Sequence, residues 1–121
     1  MLKNLSIYMK KFIYKICFKS DLLQLNKKGF FKGNKKDKTD GYVHFSNKNQ
    51  IKSTLKKYFY NQDKLVLIKV KTEKLKNLIW EESANRELFP HLYSYFSSQD
   101  IKKIYKISLS KEKKHILPKV F

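Results

Sequence analysis

The longest unbroken apolar run in this 121-residue chain is Leu65 to Ile68, continued past Lys69 to Val70. It is far short of the roughly 20 residues that a membrane-spanning helix needs. It is also too continuous for a strand with one wet face, so Lys64 to Val70 reads as a buried central strand. Chains of roughly 100–200 residues usually form one domain. The single Cys17 excludes a disulfide framework within the chain, and 3 Gly and 2 Pro exclude collagen-like or linker-like classes. The 15% of aromatic residues supplies buriable area that disordered chains lack.

The formal net charge is +18, from 28 Lys+Arg against 10 Asp+Glu. Basic surfaces bind polyanions by releasing condensed counterions. Arg86 is the only arginine, however, and the other 27 basic residues are lysine. Nucleic-acid sites favour Arg, whose planar fork pairs bidentately with phosphate and guanine. Lys, Asn, Ile, Phe and Tyr all have A/T-rich codons, so two readings stand side by side: codon bias with lysine on solvated faces, and a selected polyanion surface. Lys10, Lys11 and Lys15 interrupt any signal-peptide core, and no small-residue cleavage site follows. These features read as a cytoplasmic protein with no membrane segment, in which Cys17 is an inert buried thiol.

Residues 1–11 read as a leader, possible disorder included, with Met9 as an alternative start; 12–110 as one domain; and 111–121 as a charged, frayed tail. Phe12 to Phe18 is rich in aromatic and β-branched residues and reads as a strand. Ser20 and Asp21 offer an N-cap for a short helix through Leu22, Leu23 and Leu25, ended by Gly29. Asn26 to Asp40 carries six Lys with Gly29 and Gly33 and reads as a long loop. Tyr42 to Phe45 is a short strand. Asn47 and Gln50 have capping-box spacing, and Ile51, Leu55, Tyr58 and Phe59 share one helical face, which predicts the main helix over Asn47 to Tyr60. Leu78 to Glu82 reads as a strand, Ser83 to Phe89 as an irregular loop closed by Pro90, and Tyr105 to Leu109 as a half-buried strand. The pattern is α+β: several strands with one main helix.

Two groups of residues carry candidate chemistry. Side chains alternate along a strand, so Val43 and Phe45 face the core while Tyr42, His44 and Ser46 share the other face. The second group is Trp80, Glu81, Arg86, Phe89, Pro90, His91 and Tyr93. There, His91 and Tyr93 can stack a flat ring and contact its polar edge, and Arg86 can pair with a phosphate. Each group also has a structural reading: a hydrogen-bonded His44 with Ser46 as a helix cap, and a packed loop with Trp80 and Phe89 in the core and Arg86 paired with Glu82 or Glu87. Cys17, His44, His91 and His115 are too widely spaced for a zinc motif, so no metal is expected. There is no G-x-G-x-x-G and no Walker loop. Ser46, His44 and Asp40 cannot form a relay triad from neighbouring strand positions.

Ile13-Tyr14-Lys15-Ile16, then Gly33-x-x-x-Asp37-x-x-Asp40-Gly41-Tyr42-Val43-His44-Phe45-Ser46, Gln50 and Thr54, Leu65-Val66-Leu67-Ile68, Trp80-Glu81 and Phe89-Pro90-His91-Leu92-Tyr93 follow one another in this order. Together they resemble a small bacterial family, domain-of-unknown-function family 952, from about Ile13 to Leu109. Leu22 or Leu23 stands where that family usually has Trp, and Ser94 where Gly is common. The resemblance implies a compact ADP-ribosyltransferase-like domain, with small mixed or antiparallel sheets around a cleft and a fold shared with tRNA 2′-phosphotransferases. In that superfamily the cleft binds NAD and the glycosidic bond breaks through an oxocarbenium-like state, where positioning and electrostatics dominate. The superfamily places a His or Arg on its opening strand, where this chain has Tyr14 and Lys15.

The resemblance therefore implies an NAD-linked transferase or hydrolase. His44, His91 and Glu81 are its catalytic candidates, and Ser46, Arg86, Tyr93 and Trp80 its cofactor-binding candidates. A bound nucleotide touching both motif blocks requires His44 and His91 within about 10 Å of each other. The alternatives are a non-catalytic nucleotide-binding or ligand-binding domain on the same fold, and an RNA-associated protein with lysines clustered at the cleft.

Overall fold

Residues 10–121 are described in the computed structural model; Met1 to Met9, and with them most of the expected leader and the alternative start, lie outside the described residues. The chain runs β1 (Phe12–Phe18), a 3-10 turn (Lys19–Leu22), α1 (Leu23–Lys28), β2 (Phe30–Phe31), α2 (Lys35–Asp40), β3 (Val43–His44), a 3-10 turn (Lys48–Gln50), α3 (Ile51–Tyr58), β4 (Leu65–Lys71), β5 (Leu78–Glu82), β6 (Leu88–Leu92), β7 (Phe96–Ser97), a 3-10 turn (Ser98–Asp100), β8 (Ile101–Leu109) and β9 (His115–Ile116). The strands form three small sheets in the orders β1-β4-β8-β9, β2-β7 and β3-β6-β5. Every strand pairing is antiparallel. The architecture is α+β, rich in sheet, with few and short helices.

Both faces of β1 and β4 are covered, which is why the run through Leu65 to Val70 is apolar without alternation. On one face Ile13, Cys17, Val66, Ile68 and Val70 meet Phe31, Val43, Phe45, Leu92 and Phe96. On the other, Tyr14, Ile16, Leu65 and Leu67 pack with Ile107 against Ile51 and Leu55 of α3. The Phe31 and Phe96 rings stack at 4.9 Å and anchor the β2–β7 ribbon in the first of these layers. Cys17 is fully buried there, and burial pushes its thiol up to about 12.

The expected cap of α3 forms: Asn47 Oδ1 accepts the Gln50 N–H at 3.1 Å, and Gln50 Oε1 accepts the Asn47 N–H at 2.9 Å. The helix is shorter than its periodicity suggests. Tyr58 is exposed rather than part of the buried stripe, with the Lys36 and Lys57 ammoniums 5.2 and 5.3 Å from its ring centre. α3 is also joined by two six-residue helices instead of standing alone.

Three expectations are corrected. Asn26 to Asp40 is not a long loop. α1 ends at Gly29 with φ 76°, β2 follows, and α2 starts on a second reciprocal cap between Asn34 and Asp37, each bond 2.9 Å. A six-residue helix is too short to show an apolar period, so its cap is the only local sign of it. Pro90 does not close a loop but lies inside β6. The Glu87 carbonyl accepts the Ser83 N–H and the Tyr93 N–H donates to the Asn77 carbonyl, just beyond the two ends of β5, so alternation turns the Pro90 nitrogen toward β3. β3 ends at His44; the next residue, Phe45, still donates its N–H to the Pro90 carbonyl at 3.1 Å, and the missing Pro90 N–H forfeits only the return bond at the end of that ladder.

The segment after Ser110 does not fray. β9 pairs with β8, Leu117 and Phe121 pack on the α3 side, and the Phe121 ring meets Tyr14 edge-on at 5.8 Å. The charge count of this segment hides these apolar anchors. Phe121→Ala is expected to lower stability by about 1–2 kcal/mol, the value of a half-buried aromatic ring, read from the urea midpoint. An unchanged midpoint means the end of the chain is not docked in solution. No helix among the described residues is long and apolar enough to cross a membrane.

Candidate functional site

The antiparallel register of β3 and β6 places Val43 opposite Leu92 and His44 opposite His91. Alternation sends Val43 and Leu92 into the core and both imidazoles to the other face. The two ring centroids are 5.8 Å apart, well within the reach required of one shared ligand. Tyr42 stacks on His91 at 4.0 Å and lies 4.5 Å from His44 and 5.2 Å from Tyr93. Tyr42, His44 and His91 line a cleft of about 1080 Å³ that also takes in Ser53, Thr54 and Lys57 of α3.

His91 is held by a carboxylate. Its Nδ1 is 2.9 Å from Glu81 Oε1, and the same oxygen accepts the Tyr93 hydroxyl at 2.6 Å. The Tyr93 hydroxyl and then His91 hold the Glu81 carboxyl below its usual range, while the bond to Glu81 pushes the Tyr93 hydroxyl up to about 12. An ionised carboxylate only accepts, so Nδ1 carries the proton. Nε2 has no hydrogen-bond partner among the described residues.

His44 is held more tightly. Asp37 Oδ1 accepts its backbone N–H at 3.0 Å and lies 2.6 Å from its Nδ1, while Asp40 Oδ2 lies 2.9 Å from its Nε2. Asp37 also takes the Lys15 ammonium at 2.8 and 3.0 Å, and this pair is almost wholly buried. Burial alone would raise the Asp37 carboxyl; the His44 ring, the Lys15 ammonium and the Asn34 N–H outweigh it and hold the group at about 2. The Lys36 bond, with His44 contributing, lowers Asp40 as well.

Asp37, Asp40 and Lys15 were not among the residues singled out as functional. Two local signs point to the first and last. Asn34-x-x-Asp37 has the same cap spacing as Asn47-x-x-Gln50. Lys15 shares a strand face with Ile13 and Cys17, and a lysine at a buried position demands an anion.

The remaining candidates are spread more widely. Ser46 lines the cleft, exchanges two 2.8 Å backbone bonds with Tyr14 and shares a 3.1 Å hydroxyl contact with Thr54; Asn47, not Ser46, caps the helix. Trp80 packs against the first core layer, opposite Pro90. Arg86 sits exposed in the β5–β6 turn at φ 62°, forms no ion pair among the described residues and lies outside the cleft lining. Glu81 and Tyr93 also lie outside that lining and reach the cleft through His91. Among the described residues no group of three or more His, Cys, Asp or Glu side chains has a metal-binding arrangement.

Comparison with known proteins places this geometry in a family. The crystal structure of protein CC0527 from Caulobacter crescentus matches with a TM-score of 0.81 and 32% identity, over 88% of this chain and 94% of that one. The solution NMR structure of CC0527 matches with a TM-score of 0.73 and 32% identity, over 84% and 89% of the two chains. No curated protein matches at a significant level. The family model described as "Protein of unknown function (DUF952)" matches residues 16–104, a span that holds His44, His91, Asp37 and Glu81, and the chain belongs to that family.

Proposed function

We propose that this is an ADP-ribosyltransferase-like domain that binds NAD or a related nucleotide in the cleft and cleaves or transfers at its glycosidic bond. The observation that carries the reading is the convergence of two carboxylate-held imidazoles and the Tyr42 ring on one cleft. Ligand pockets are usually about 300–1,000 Å³, so there is room for a dinucleotide. Lys35, Lys36 and Lys57 line the cleft and offer cations to a pyrophosphate. Tyr42 offers a ring face for stacking. These residues take the parts that the sequence pattern gave to Arg86 and Trp80.

Bound NAD supplies a C–N glycosidic bond whose electron pair leaves on the nicotinamide. His91 Nε2, the ring nitrogen without a partner, accepts the proton of the incoming water or hydroxyl as its oxygen bonds to the ribose carbon. Glu81 keeps Nδ1 as the donor and so keeps Nε2 available. His44 and Ser46 orient ribose or phosphate oxygens.

One observation favours a second reading, a nucleotide-binding domain without turnover: both ring nitrogens of His44 face carboxylates. The RNA-directed reading has less support. Exposed lysines occur along α3, β4, β8 and the C-terminal segment as well as at the cleft.

The test is an NMR titration of the histidine rings with NAD at moderate salt, paired with an assay for nicotinamide release. Saturable shifts at His44 and His91, with release abolished in His91→Ala, are expected. Saturable shifts without release support the second reading. No shift at millimolar NAD overturns both.

A further inference from the structure

We propose that Asp37, backed by the buried Lys15 ammonium, is a positioning residue that fixes the His44 imidazole with Nδ1 as a donor, so that Nε2 is the nitrogen presented to the cleft. The proposal deepens the reading of this cleft as the functional site, but it concerns the free protein and requires no particular ligand.

The first argument is the cost of the pair. The Lys15 and Asp37 side chains are 3% and 1% exposed. Taking two charges out of water costs several kcal/mol per ion, and apolar residues of similar volume often serve folding as well or better. Position 15 lies on the same strand face as Ile13 and Cys17, where an apolar residue would continue the pattern. Stability therefore does not account for an ion pair at this place.

The second argument is how the carboxylate is used. Asp37 Oδ1 accepts from the His44 backbone N–H and Nδ1 and from Lys15, while Oδ2 accepts from Lys15 and the Asn34 N–H. Two bonds from one residue to one oxygen fix both the course of β3 and the turn of the ring. An ionised carboxylate cannot donate, so Nδ1 must carry the proton. Lys15 keeps it so: with the ammonium gone, the buried carboxyl would be freer to protonate, turn donor and release the ring.

The third argument is the parallel with His91. Glu81 holds the Nδ1 of that ring, and both imidazoles, side by side across the β3–β6 pair, are thus held through the same nitrogen. Their Nε2 atoms are the working atoms. Asp40 meets His44 Nε2 from the open side with a side chain one-third exposed and also bound by Lys36 at 3.1 Å. It is the exchangeable partner, and Asp37 the permanent one.

The experiment is a long-range ¹H–¹⁵N spectrum of the histidine rings in the full chain without ligand, for wild type and for Lys15→Met/Asp37→Leu, which replaces the pair with apolar groups. In wild type the expected result is a protonated His44 Nδ1 with a slowly exchanging proton, whether or not Nε2 also carries one. In the double variant that proton signal is lost and His44, now faced by Asp40 alone, shifts toward the Nε2-protonated tautomer, while the His91 pattern stays unchanged. A wild-type His44 protonated at Nε2 alone overturns the proposal. So does a folded double variant that keeps the wild-type His44 pattern. If the double variant does not fold, the wild-type spectrum decides by itself. No nucleotide is in the sample, so failure of the NAD reading leaves this result standing, and the reverse holds too.

Discussion

Asp37→Ala lowers folding stability by about 3–5 kcal/mol at neutral pH, the usual cost of breaking a buried ion pair from one side. The loss comes less from the attraction removed than from what is left behind. The Lys15 ammonium would remain buried between strands, and the Asn34 and His44 N–H groups would lose their acceptor. Urea denaturation reads the loss directly; a penalty below about 1 kcal/mol means the pair is not formed in solution. Acid provides a second check. The Asp37 carboxyl lies at about 2 in the fold against an ordinary 3.8. Its stabilisation is complete above the unfolded value and disappears as pH falls through the folded one. That contribution is about 2 kcal/mol. The gap between wild type and Asp37→Ala therefore narrows between about pH 4 and pH 2, and a gap constant over that window contradicts the assignment.

What could be read from the chain beforehand divides along physical lines. The β4 run, the Asn47–Gln50 cap and the facing of Val43 against His44 are local: each depends on neighbours within a few residues, where strand alternation and cap spacing act. His44 and His91 were set near each other only through a resemblance and the order of two motif blocks. Their pairing depends on strand register, which no local rule supplies. The Lys15–Asp37 contact spans 22 positions and requires α2 to settle against β1. Lys15 itself carried a warning, as a charge in the middle of a buried strand, but not the address of its partner. Trp80 and Arg86 belonged to the same dense block as His91, yet β5 turns Trp80 to the core, and Arg86 stays out of the cleft lining although its neighbours Asn85 and Glu87 belong to it. Composition pointed to chemistry in that block; the strand faces decided which members share it.

Gly33→Ala is the second large effect, and it reports on the same carboxylate from the other side. Gly33 has φ +126°, and a Cβ built on it would lie 2.6 Å from Asp37 Cβ and 3.3 Å from Asp37 Oδ2. A flexible neighbour would swing away, but Asp37 is pinned by Lys15, His44 and Asn34 and cannot. Backbone strain costs about 1–3 kcal/mol and overpacking about 1–3 kcal/mol, so the combined loss is about 4 kcal/mol. Gly29 is the control. Its φ is +76°, but nothing lies within 4 Å of its added Cβ, so Gly29→Ala carries the left-handed penalty alone, about 1–2 kcal/mol. Denaturation midpoints of the two variants separate clash from strain. Equal losses would mean that Asp37 yields and that its bonds are not rigid. An unequal pair, with the larger loss at Gly33, means that the chain keeps a glycine there because a side chain would push on the carboxylate that sets His44.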